Sequence, residues 1–143
     1  MAHEKVLLVD DEPEFTRVLS QRMESRGVDV DTAASGPEAL EKAKGESYDA
    51  VILDLRMPEM GGMETLRHLL AASPGLQVIL LTAHATLRAG VEAIKLGAAD
   101  FLEKPAEIQQ LMEKIRQARA SKMLLVEKQA EEKIQGILQT RWW

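Results

Sequence analysis

Four short apolar runs in the chain are followed at once by residues able to do chemistry. Residues 5–9 lead into Asp10 and Asp11, residues 50–53 into Asp54, residues 76–81 into Thr82, and residues 100–102 into Glu103, Lys104 and Pro105. If these runs are strands of one parallel sheet, the carboxylates, the hydroxyl and the ammonium converge, because ligands bind outside the carboxyl ends of such strands. Carboxylates packed together repel, and at least one would be driven to protonate. A divalent cation removes that difficulty. Magnesium is hard and oxygen-seeking, keeps several waters, and takes one or two protein carboxylates together with a phosphoryl oxygen. Asp11 and Asp54, with Asp10 close by, supply that donor set.

The elements that must position these residues follow from the periodicity. Residues 5–9, 28–32, 50–53, 76–81 and, more weakly, 100–102 have the aliphatic, β-branched character of strands. Between them the apolar residues recur at helical spacing: Phe15, Val18, Leu19 and Met23; Ala39, Leu40 and Ala43; Met63, Leu66, Leu69 and Leu70; Leu87, Val91 and Ile94; Ile108, Leu111, Met112 and Ile115. The order is strand, helix, strand, repeated through five strands. Runs two to four are nearly continuously apolar, as strands covered by helices on both faces are, so the fold class is α/β with a doubly wound five-stranded parallel sheet. Ser35-Gly36-Pro37-Glu38 provides an N-cap, an early proline and a capping-box acid, and Gly27, Gly45 and Gly97 stand where helices should stop.

Beyond residue 105 the chain has one glycine, Gly136, and no further proline after Pro105 itself, while Glu, Lys, Gln, Arg and Ala are frequent. This predicts one long helix. The last helix of an α/β domain needs only about 12 to 15 residues, so residues 121–143 form an extension beyond a domain spanning 1–120. Met123, Val126, Ala130, Ile134 and Ile137 would form a stripe along it, suited to a partner helix in a homodimeric coiled coil. A linker to a further domain is the alternative.

Composition narrows the function classes. A net charge of -5 argues against direct binding of nucleic acid, whose phosphates call for clustered Lys and Arg. With no cysteine, disulfides and thiolate metal sites are excluded, which fits a reducing cytoplasm. No segment approaches the about 20 apolar residues of a membrane span, and the amino-terminal residues lack the apolar stretch of a signal peptide.

Four motifs together resemble the receiver domain of two-component response regulators, with the fold of the chemotaxis regulator. They are Val-Asp-Asp-Glu-Pro (9–13), Leu-Asp-Leu-Arg-Met-Pro (53–58), Leu-Thr-Ala-His (81–84) and Asp-Phe-Leu-Glu-Lys-Pro (100–105), and the likeness covers roughly residues 4–118. It implies a flavodoxin-like sheet of order 2-1-3-4-5. It also implies that Asp54 accepts a phosphoryl group from a sensor histidine kinase or a small acyl phosphate. Mg2+ would be held by Asp11, Asp54, the Arg56 backbone carbonyl and, through water, Asp10, while Lys104 and the Thr82 hydroxyl take phosphoryl oxygens. Ala83 leaves room for the group, and the Lys104–Pro105 bond is expected to be cis. On phosphorylation Thr82 moves toward the site and Phe101 turns inward, altering the face formed by helix 4, strand 5 and helix 5. Arg56 and His84 occupy positions that tune the lifetime of the phosphoryl group.

Other readings of the same residues remain. Asp10 and Asp11 are ordinary for a solvated strand end, and Asp54 for a turn cap, when each is taken singly. His3 and His68 read as surface residues, His84 as a loop histidine, and Trp142 and Trp143 as either an anchor or a loose terminus. A scaffold that keeps the fold without phosphorylation is opposed by the intact set of acids, Thr82 and Lys104. A phosphate-ester hydrolase with Asp54 as nucleophile lacks a general acid or base apart from His84. Whether the chain stands alone or belongs to a larger regulator is open.

Overall fold

The computed structural model describes residues 3–83 and 85–140. Five strands, β1 (Lys5–Val9), β2 (Asp29–Ala33), β3 (Ala50–Leu53), β4 (Val78–Thr82) and β5 (Asp100–Glu103), alternate with five helices, α1 (Pro13–Glu24), α2 (Gly36–Gly45), α3 (Gly62–Ala72), α4 (Leu87–Leu96) and α5 (Ile108–Thr140). The sheet is wholly parallel with order β2-β1-β3-β4-β5.

The continuous apolar runs are explained by what lies on each side of the sheet. Val6 and Leu8 of β1, Ile52 of β3, and Ile79 and Leu81 of β4 point into a core completed by Met23 of α1 and by Ile108, Leu111 and Ile115 of α5. Their neighbours Leu7, Val9, Val51, Leu53, Val78 and Leu80 point the other way, into a second core completed by Ala39 of α2, Leu66 and Leu69 of α3 and Ala93 of α4. Successive side chains alternate between faces, so a strand covered on both sides must be apolar at every position.

β2 departs from the expected pattern. Its sequence is Asp-Val-Asp-Thr-Ala, and only Ala33 is fully buried, because β2 is an edge strand bonded to β1 alone. The expected strand at 76–81 lies at Val78–Thr82, so Thr82 is inside β4, paired with Glu103. The caps form as the sequence indicates: the Ser35 hydroxyl accepts from the Glu38 N–H at 3.2 Å, and the Glu38 carboxylate reaches back to the Ala34 N–H at 2.8 Å. Gly97 ends α4 with φ of 109°, a left-handed conformation that glycine adopts without cost. No helix among the described residues is long and apolar enough to cross a membrane.

Candidate functional site

Strand register brings the chemical residues together. Val9 pairs with Leu53, and the ladder continues one step beyond the strands, with Asp10 N–H donating to Ala33 O and Asp54 N–H to Val9 O, both at 3.0 Å. The two aspartates therefore emerge side by side. On the far side Lys104 N–H donates to Thr82 O at 2.9 Å, which returns Lys104 toward the same edge.

The centre of the site is Lys104. Its Nζ lies 2.6 Å from Asp10 Oδ2, 3.6 Å from Glu12 Oε1 and 3.8 Å from Asp54 Oδ2. It also sits 3.9 Å from the centre of the Phe15 ring, whose electron-rich face favours a cation. Only 10% of the Lys104 side chain and 2% of that of Asp10 are exposed. The Lys104–Pro105 peptide is cis, as expected from the family pattern.

Burial and charge act against one another here. Desolvation pulls the Lys104 ammonium toward neutrality, but the hydrogen bond to Asp10 and the attraction of Asp10, Asp54 and Glu12 outweigh it, so its pKa lies above the ordinary lysine value. Burial pushes the Asp54 carboxyl above its ordinary value. Lys104 opposes that shift and the neighbouring Asp10 adds to it, while hydrogen bonds from the Thr82 hydroxyl and the Arg56 backbone N–H favour the ionised form.

Oxygens of Asp10, Glu12 and Asp54 lie within 4.8 Å of one another, a grouping able to hold a metal ion. Three carboxylates face one ammonium, and all the donors are hard oxygens, so the residues fit a divalent cation of the magnesium type. Receiver domains bind Mg2+ at an acidic pocket of this kind. Glu12 was not singled out from the sequence. Its signal was its place between Asp11 and the helix-starting Pro13, where it is the N-cap of α1, with its N–H donating to Asp10 Oδ1 at 3.0 Å. Asp11 is exposed and lines an open cleft with Leu55, Arg56, Met57 and Pro58 beside the cluster.

The structure thus joins Asp10, Asp54, Thr82 and Lys104, and places Asp11 and Arg56 on the adjoining cleft. Phe101 stands apart from the cluster, half-buried with its ring against α4, where a Cβ on Gly90 would be 3.4 Å away. His84, Trp142 and Trp143 lie outside the described residues. Gly62 is a further residue on which the site depends. A Cβ there would fall 2.4 Å from the Asp54 carbonyl oxygen and 2.6 Å from Leu55 Cα, so only glycine lets α3 begin against the backbone of Asp54.

A family model described as the response regulator receiver domain matches residues 6–116. The chain belongs to the response-regulator receiver family. Among its relatives is the transcriptional regulatory protein ZraR of Escherichia coli K12, 35% identical over 122 residues, covering 84% of this chain and 28% of ZraR. A receiver domain from Clostridium thermocellum superposes with a TM-score of 0.80 at 36% identity, over 85% of this chain and 98% of that one. A response regulator from Burkholderia pseudomallei, solved with a phosphorylated aspartic acid, calcium and citrate, has a TM-score of 0.75 at 28% identity, over 92% and 74% of the two chains. This receiver chain spans about a quarter of the length of the curated relatives it matches. A phosphorylation switch is the general function of the family.

Proposed function

We propose that Asp54 is the phosphoacceptor of this receiver. An Asp54 Oδ attacks the phosphorus of a phosphohistidine on a sensor histidine kinase, or of a small acyl phosphate. The bond from phosphorus to the donor breaks, and the donor leaves with the electron pair. The observation that carries this reading is the convergence of Asp54 on Lys104 within an acidic cluster otherwise short of positive charge. The phosphorylated aspartic acid and the cation in the Burkholderia pseudomallei structure support it.

Lys104, held at the site beforehand by Asp10, takes one phosphoryl oxygen, and the Thr82 hydroxyl takes another. Asp10, Asp11, Asp54 and the Arg56 backbone carbonyl would hold Mg2+, with Glu12 as an added carboxylate. The ion supplies neutralisation of charge on the phosphoryl oxygens. Thr82 then shifts toward the phosphoryl group and Phe101 turns inward, which alters the face formed by α4, β5 and α5. Arg56 and His84 tune how long the phosphoryl group lasts. The domain acts on itself and turns over no external substrate.

Residues 121–143 extend the receiver at 1–120, and their described part, to Thr140, serves as a dimerisation helix. Met123, Val126, Ile134 and Ile137 are all exposed on it, an apolar stripe that a second copy would cover. With a net charge of -5, the chain is ill suited to bind nucleic acid directly. The cytoplasm is the compartment this role requires.

Incubation with magnesium and acetyl phosphate, followed by intact mass, tests the switch. A phosphoryl adduct in the wild type and none in Asp54→Ala is expected. An adduct that persists in Asp54→Ala, or none in either protein, overturns it in favour of a scaffold. Light scattering on the wild type and on Ile134→Asp tests the dimer, which the substitution is expected to dissociate.

A further inference from the structure

The contacts of α5 with the receiver body continue past Ala118, where its buried face ends. Ile108, Leu111, Ile115 and Ala118 are buried against the core, and a turn further on the same side of the helix brings Lys122, Leu125, Val126 and Gln129 over a groove on the receiver body. At about 1.5 Å per residue the helix has by then run roughly 20 Å from the Asp54 edge of the sheet. It has reached the opposite edge, where the chain enters β3 and β4.

There Lys122 Nζ donates to Ser47 Oγ at 2.8 Å and to the Tyr48 carbonyl oxygen at 2.9 Å, both in the loop between α2 and β3. Tyr48 is itself held fast, buried, with its hydroxyl donating to Asp31 Oδ2 at 2.8 Å. On the other side of the groove Leu125 Cδ1 lies 3.8 Å from the Cβ position of Gly75, in the loop between α3 and β4. Among the described residues no carboxylate forms an ion pair with Lys122, so the contact consists of hydrogen bonds to neutral oxygens and is little screened by salt. Lys122 is half-buried, and from Met123 to Gln139 every described side chain is exposed, Leu125 the least of the large apolar ones at 40%.

We propose that Lys122 and Leu125, against the loops at Tyr48 and Gly75, clamp the first two turns of the extension onto the receiver, so that the core-packed part of α5 and its extension move as one lever. The rigid body then ends near Gln129 rather than at residue 120. A helix gains most of its stability from packing rather than from propensity, and without the clamp a lever would fray where its core contacts end. The clamp stands on geometry alone, whereas its use as a lever rests on the switch proposed above.

Amide hydrogen exchange on the whole chain separates the two. Lys122→Met keeps the stem and the helix propensity but loses the donors. It is expected to speed exchange about tenfold in residues 121–129 while leaving residues 108–118 unchanged. Ser47→Ala removes one acceptor and is expected to act in the same direction, less strongly. Equal exchange in wild type and Lys122→Met, or an increase spread evenly along α5, overturns the clamp. With magnesium and beryllofluoride added, a change in the wild type at both 108–118 and 122–129, reduced to 108–118 alone in Lys122→Met, supports the lever. A wild-type change confined to 108–118 overturns the lever, and no change near Asp54 in any variant overturns the switch while leaving the clamp.

Discussion

Lys104 and Asp10, distant in sequence, form a 2.6 Å ion pair in which both side chains are nearly out of solvent. The pair occupies the edge where Asp54 and Glu12 add further negative charge, so Lys104 is the internal counterion of the free receiver. In the proposed switch, phosphorylation asks this ammonium to serve a new anion.

Removal of that counterion has a large expected cost. Lys104→Met leaves buried carboxylates unpaired, and truncating one partner of a buried ion pair costs roughly 3–5 kcal/mol. Urea denaturation in a metal-free buffer should show that loss. Magnesium should restore part of it, because a ligand held only by the folded state stabilises by about 2.7 kcal/mol at a hundredfold excess over Kd. Equal stability of the variant and the wild type without magnesium would contradict the role given to Lys104.

Asp54 makes the metal-free fold sensitive to pH. Its carboxyl lies above the ordinary 3.8 because burial disfavours its charge. The folded chain therefore binds this proton more tightly than the unfolded chain does. The resulting stability is fully present below the unfolded value and is lost as pH rises through the folded one. Asp54→Asn is expected to be more stable than the wild type at neutral pH without magnesium, with the difference shrinking in acid. Urea midpoints at pH 4 and pH 7 measure it.

Tyr48 reports on the opposite edge of the sheet at alkaline pH. It is the single tyrosine of the chain. Burial, together with the hydrogen bond to Asp31, raises its phenol well above the ordinary 10.0. Its contribution is fully present below pH 10 and is lost as pH climbs through the native value. Phenolate absorbance should therefore stay flat where free tyrosine ionises and appear together with the loss of circular dichroism. Titration near pH 10 in a chain that is still folded would show that Tyr48 is not held as described. Tyr48→Phe should lose about 1 kcal/mol at neutral pH.

Gly62→Ala tests how the backbone of Asp54 is held. The added methyl would meet the Asp54 carbonyl oxygen at 2.4 Å, and overpacking of this kind costs about 1–3 kcal/mol. Because the strain falls on the peptide of Asp54, the proposed phosphoacceptor, phosphorylation by acetyl phosphate should slow even in the fraction that remains folded. Stability and rate both unchanged would mean that α3 can draw back from the site.

Sequence alone determined the order of elements, the parallel doubly wound sheet and most of the site. Alternating faces covered by helices demand unbroken apolar runs, as in β1, β3 and β4, and the residues after such runs must lie at one edge; Asp10, Asp54 and Lys104 were legible for that reason. Thr82 was found although it ends its strand rather than following it. Tertiary structure alone decided the partners. The joining of Lys104 to Asp10, the inclusion of Glu12 rather than Asp11 in the carboxylate cluster, and the Phe15 ring beneath the ammonium all depend on strand register and on where flexible side chains reach. The seat of Lys122 on Tyr48 joins residues 74 apart, and no local period encodes it. Helical and strand periods are properties of neighbouring residues, whereas such contacts exist only once the whole chain has closed.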